Sequence, residues 1–129
     1  MTQTHAQNSP HAPVPSSAEY KAIVEAARAP AARELKQTIG LDPDALNVAG
    51  DWAFLTANIV DASGAPFDYH GTRLEEAAQA GGVSRLYAGL LQRRDGHWIV
   101  VTRAIGPTDV AWESWASEFG APAALFGTD

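Results

Sequence analysis

The chain has no cysteine, so disulfide staples, thiol nucleophiles and thiolate metal sites are all excluded. It is also short of positive charge: nine lysines and arginines stand against fifteen aspartates and glutamates, a formal charge of −6. That balance offers no electrostatic footing for nucleic acid or an anionic membrane, and only Arg93 and Arg94 are adjacent among the basic residues. No apolar run approaches the ~20 residues that span a bilayer, so membrane insertion is not expected. The four histidines, His5, His11, His70 and His97, show neither an i,i+4 pair nor an HExxH pattern. No phosphate-cradling glycine loop or nucleophile–base arrangement is visible either, and no cofactor is expected.

What is present is enough for one domain. The 129 residues are 46% apolar and 19% charged, a globular composition. A chain of this size buries roughly two-thirds of the surface it exposes when unfolded, so it can hold a core without staples. The stretch 1–15 is rich in Thr, Gln, Asn, Ser, His and Pro and reads as a flexible leader, with a single domain over 16–129. Thr4-His5-Ala6 has the small-x-small form that precedes signal cleavage, with Gln7 next. The expectation drawn from it is a periplasmic or secreted protein, with a cytoplasmic one as the alternative.

Order is expected from Ser16. Ser16 and Glu19 have the spacing of a capping box, and Tyr20, Val24, Ala27, Ala31 and Leu35 follow at helical intervals, with Ile23 and Ile39 widening the stripe. Pro30 should kink this helix or split it into two, and Gly40 should end it. Strands are expected over Leu46–Val48, Trp52–Val60, Ser84–Gln92 and His97–Ile105, the last two joined by the hairpin turn Asp95-Gly96. Along the second strand Trp52, Phe54, Thr56 and Asn58 face one way and Ala53, Leu55, Ala57 and Ile59 the other, so both faces should be covered at the Trp52 end. Thr72 and Glu75 suggest a second capping box, opening a short helix to Ala80 between strands two and three. A last helix should start at the cap Thr108, carry Trp112, Trp115, Ala116 and Phe119 on one face, and end at Gly120. The fold class is α+β: an N-terminal helix on a four-stranded antiparallel meander, a short helix in the strand 2–3 connection, and a C-terminal helix.

Gly50-Asp51-Trp52-Ala53-Phe54, the run Ile105 to Glu113 and Phe119-Gly120-Ala121-Pro122 resemble a family of small, often exported bacterial proteins. The resemblance spans about residues 20 to 126 and is most specific at Gly106-Pro107-Thr108-Asp109-Val110. It implies a cystatin-like fold, a helix wrapped by a curved sheet, as in the nuclear-transport-factor-like superfamily. It carries over no catalytic residue.

Candidate binding residues are Asp68, Tyr69, His70 and Arg73, close together in the 61–82 insertion, and Arg103 on the fourth strand. A histidine near a carboxylate is the usual material of acid–base chemistry, and residues 68 and 70 project to one side of an extended segment. The competing interpretation is a solvated loop in which Asp68 and His70 satisfy backbone groups. Arg103 lies on a face that otherwise looks apolar and must find an acceptor, with Asp51 or Asp109 in view. It would then be a strap between sheet and helix, or else an anion-binding arginine. Trp112 and Trp115 are expected in the core, as are Trp52 and Trp98.

The functional expectation is a non-catalytic binding or accessory module for an unknown protein or small molecule. One alternative is a small-molecule enzyme with a cone-shaped pocket using Asp68, His70 and Arg103, and another is an inhibitor or immunity-type protein. A deep pocket lined by Arg103 would favour the enzyme. A filled core with an apolar patch on the insertion would favour partner binding.

Overall fold

Two adjacent serines offer the same capping chemistry at the start of the first helix, and spacing alone cannot choose between them. In the computed structural model, which describes residues 11–14, 16–72, 74–82, 84–107 and 112–126, the cap is Ser17 and not Ser16. Its Oγ accepts from the backbone N–H of Tyr20 at 3.1 Å. Arg73, Thr108, Asp109 and most of the expected leader lie outside the described residues.

Helix α1 runs over Ala18–Leu35 as one helix through Pro30, not as two. It stops well before Gly40: Lys36 takes the left-handed conformation, φ 57°, and its N–H bonds to Ala32 O. Ile39 therefore leaves the helical stripe and opens β1, Ile39–Ala49. This strand is much longer than Leu46–Val48 because Pro43 and Asp44 hide its alternation. The register shifts between Pro43 and Ala45, and as a sheet edge the strand tolerates a residue with no donor.

β2 (Trp52–Asp61), β3 (Leu86–Arg94) and β4 (His97–Ile105) follow, each antiparallel to the one before, so the sheet order is β1-β2-β3-β4. Asp95 and Gly96 join the last two with φ 53° and 80°, both positive, as a two-residue turn matching the sheet's twist requires. α2 (Glu75–Gln79) lies in the β2–β3 connection. Its entry is tied by two side chains. Thr72 Oγ1 accepts from Leu74 N, and Glu75 Oε1 accepts from Gly71 N, one residue earlier than a capping box would place it.

The period-two pattern of β2 splits the core as expected. Ala53, Leu55, Ala57 and Ile59 share one buried cluster with Ile23, Ala27, Ala31 and Leu35 of α1. Phe54, Ala88 and Leu90 share another with Trp115, Ala121 and Leu125 of the C-terminal segment. Phe54 is its aromatic hub, with ring centroids 4.6 Å from Phe126, 5.7 Å from Trp112 and 6.2 Å from Trp115. Asn47 Nδ2 adds a hydrogen bond to Leu125 O at 3.1 Å.

The C-terminal helix α3 is only Trp115–Phe119, between Ser114 and a left-handed Gly120. Trp112 sits in the turn before it, and Phe119 is 36% exposed, so the expected four-residue apolar face is not formed. The physical reason is docking. The sheet's outer face is covered by a turn, a five-residue helix and the 3₁₀ turn Ala123–Phe126 in succession, and each presents its own apolar residue. No helix among the described residues is long and apolar enough to cross a membrane.

Candidate functional site

The insertion turns its aromatic residues inward. Phe67 is 1% exposed and Tyr69 4%, and their rings meet edge to face at 5.3 Å. The Tyr69 hydroxyl donates to Ser84 O, and burial pushes its phenol pKa up, with the Arg85 charge acting the other way. Arg85 Nε donates to Phe67 O at 2.6 Å. With 67 and 69 inside, Asp68 and His70 fall together on the solvent side; their spacing had implied a shared side. Asp68 Oδ1 accepts from the N–H of His70 at 3.0 Å, and His70 Nδ1 lies 2.8 Å from Glu75 Oε2.

These residues border a shallow concavity of about 250 Å³ with Gln79 and Arg85. A histidine–carboxylate pair of this kind can pass a proton. The His70 side chain is 81% exposed, however, and the neighbouring phenol is committed to a backbone carbonyl. Sequence reasoning treated Glu75 only as a capping residue. It had no signal at all for Arg85, which reaches the loop from the start of β3.

Arg103 does bridge sheet and helix, through Glu34 and not through Asp51, while the other expected acceptor, Asp109, lies outside the described residues. Arg103 Nε and Nη2 both donate to Glu34 Oε1 of α1, at 2.9 and 2.7 Å. Asp51 is at the other end of the sheet and pairs with Arg93 at 3.0 Å. Glu34 carried no signal because its partner is 69 positions away in the chain.

A second place emerges that spacing could not show. At the Trp52 end of the sheet an open concavity of about 680 Å³ is bordered by the β1–β2 turn (Val48 to Trp52), His11, Glu19, Arg93 and Pro122. Its wall is built by backbone pairing: His11 exchanges two main-chain hydrogen bonds of 2.8 Å with Val48, on the free edge of β1. His11 Nε2 then lies 3.2 Å from Glu19 Oε1 in the first turn of α1. Across the opening, Arg93 is held by Asp51 and lies 5.3 Å over the Trp98 ring. The His11–Glu19 contact, the Arg93–Asp51 ion pair and the partly exposed Trp52 thus face one hollow.

No group of three or more His, Asp or Glu residues is placed to hold a metal ion among the described residues. No family model matches this chain, and no curated protein or solved structure matches it. The class that fold and surface define is an α+β protein of helix and meander with an open, polar-bordered hollow at the Trp52 end.

Proposed function

We propose that this chain is a non-catalytic binding or accessory module that receives a small molecule or partner segment in the hollow at the Trp52 end. The single observation carrying this is the hollow itself. About 680 Å³ lies within the range of small-molecule sites, and its border combines an aromatic face with charges of both signs. Elsewhere the residues of enzyme type are bonded to their own chain: Arg103 to Glu34, Tyr69 to Ser84 O, Asp68 to a backbone N–H.

The enzyme alternative needs a pocket between α1 and the sheet. None of the described concavities includes Arg103, and where α1 meets the sheet Ile23 and Ala27 of the helix and Leu55 of β2 are fully buried. Among the described residues the insertion, with Phe67 and Tyr69 inside, offers no large apolar patch to a partner enzyme. A cystatin-like fold and an exported location belong to the same proposal. The helix-then-meander order supports the first, and the Thr4-His5-Ala6 triplet supports the second.

The test is a titration of ¹⁵N-labelled protein with fractionated extract of the cells that make it. Shifts centred on Val48–Trp52 and Arg93, and lost in a Trp52→Ala, Arg93→Glu chain, are expected. Shifts centred instead on Asp68–Glu75, and lost in Asp68→Ala, His70→Ala, would move the site to the insertion.

A further inference from the structure

The hollow at the Trp52 end wraps the tip of the β1–β2 hairpin, and the two faces of the sheet bring different chemistry to it. Residues directly opposite one another on neighbouring antiparallel strands project to the same face, so Trp52, Gln92 and Ile99 form a row across β2, β3 and β4. Trp52 is backed by the cluster that holds Phe54 and Trp115 and remains partly exposed. Ile99 continues the row beyond the hollow's border and is 38% exposed. With strands ~4.8 Å apart, the row is a narrow apolar strip with an amide at its centre.

The α1 side contributes charged groups, His11, Glu19 and Arg93, with Asp51 at the hairpin tip. They are engaged with one another and still keep bonding capacity. Arg93 Nε and Nη2 both donate to Asp51 Oδ1, at 3.1 and 3.0 Å, and His11 Nε2 meets Glu19 Oε1. Gln92 Oε1 accepts from Arg94 Nε at 2.7 Å. Asp51 Oδ2, Glu19 Oε2 and Gln92 Nε2 make no further hydrogen bond among the described residues. The Asp51 side chain is also 63% exposed, so solutes reach it. The border's charges nearly cancel, which gives it no strong preference for an ion of either sign.

We infer that the ligand of this hollow is a neutral oligosaccharide, an assignment that rests on the hollow being the protein's binding place. A pyranose ring has a flat face of slightly positive C–H groups, which suits the negative face of an indole such as Trp52. Around its rim stand hydroxyls that both donate and accept. They donate to Asp51 Oδ2 and Glu19 Oε2 in charge-assisted bonds and accept from Gln92 Nε2. The strip from Gln92 to Ile99 receives the next ring. Because the hollow is open, a chain longer than the hollow itself can lie in it.

The experiment titrates ¹⁵N-labelled protein with cellotetraose, maltotetraose, mannotetraose and chitotetraose at millimolar concentration, with glutarate and putrescine as charged comparators. A saturable shift of the Trp52 indole N–H and the Gln92 side-chain amide with at least one saccharide, and none with either ion, is expected. Trp52→Ala should bind that saccharide about tenfold more weakly, and Trp52→Tyr, which keeps an aromatic face, within about threefold of wild type. No saturable shift with any of the four saccharides overturns the assignment, and so does an affinity unchanged in Trp52→Ala. Should that variant fold poorly, Gln92→Ala decides, and an affinity equal to wild type counts against the saccharide. Failure of the hollow itself looks different. If glutarate, putrescine or the cell extract shifts Val48–Trp52 while no saccharide does, the hollow binds and only its assigned ligand is overturned. Silence from every probe removes both.

Discussion

At Gly89 the requirement is space: the backbone there is ordinary strand, but the Tyr87 ring fills the volume any side chain would need. Gly89→Ala would place its methyl within 2.9 Å of three Tyr87 atoms, none of which can retreat through a buried core. Overpacking of this kind costs about 1–3 kcal/mol, so the thermal midpoint should drop by several degrees. Adding Tyr87→Leu to that variant should recover part of the loss, and a double variant no more stable than Gly89→Ala alone would show the clash to be elsewhere. Nothing in the sequence marked this pair. Gly89 read as one more small residue in an apolar strand, and a glycine needed for a neighbour's ring looks the same as one that merely happens to be there.

Among the elements, those with local causes were legible and those made by docking were not. The β3–β4 hairpin was plain from Asp95-Gly96 between alternating residues, because a two-residue turn needs positive φ twice in succession. The ends of α1 were less so, since Ser16 and Ser17 are interchangeable in pattern and Lys36 occupies a conformation usually left to glycine. Ser17→Ala should cost about 1 kcal/mol in chemical denaturation, and Ser16→Ala almost nothing, which separates the two serines directly. The C-terminal segment is the opposite case. Its turn, short helix and 3₁₀ turn hold their positions through Phe54, which is 5% exposed and touches three of their aromatic rings. Phe54→Ala should cost about 3–5 kcal/mol and shift tryptophan emission to the red as Trp112 and Trp115 become wet. Retained emission would mean that the segment docks without its hub.

For the molecule as a whole, acid is the informative perturbation. Asp61 is held below its ordinary pKa of 3.8 by the Ser63 hydroxyl and by the backbone donors of the 61–65 turn. Glu25 is held below 4.5 by its hydrogen bonds to Arg28. Both carboxyls bind protons more readily in the unfolded chain, so what they contribute is present above pH 4.5 and is lost as pH falls through their folded values. Thermal midpoints measured downward from neutrality should hold until about that point and then decline. Asp61→Asn should make the decline shallower, and an identical acid limb in that variant would remove Asp61 from the account.

The candidate sites divide along the same line of cause. Asp68 and His70 could be placed on one side of a strand-like segment from their two-residue spacing, but Tyr69, read as a binding residue, is buried with Phe67 instead. Glu75 and Arg85 join them only through chain reversal. Composition and periodicity by themselves determined an acidic α+β chain, the two faces of β2, the hairpin, and the burial of Trp115, whereas Trp52, Trp98 and Trp112 are only partly buried. Each feature so determined depends on neighbours a few residues apart, whose geometry the backbone dictates. The pairing of Arg103 with Glu34, the seat of Tyr87 over Gly89 and the hollow walled by His11, Asp51 and Arg93 were decided only by tertiary structure. Each joins segments whose separation in the chain carries no record of their distance in space.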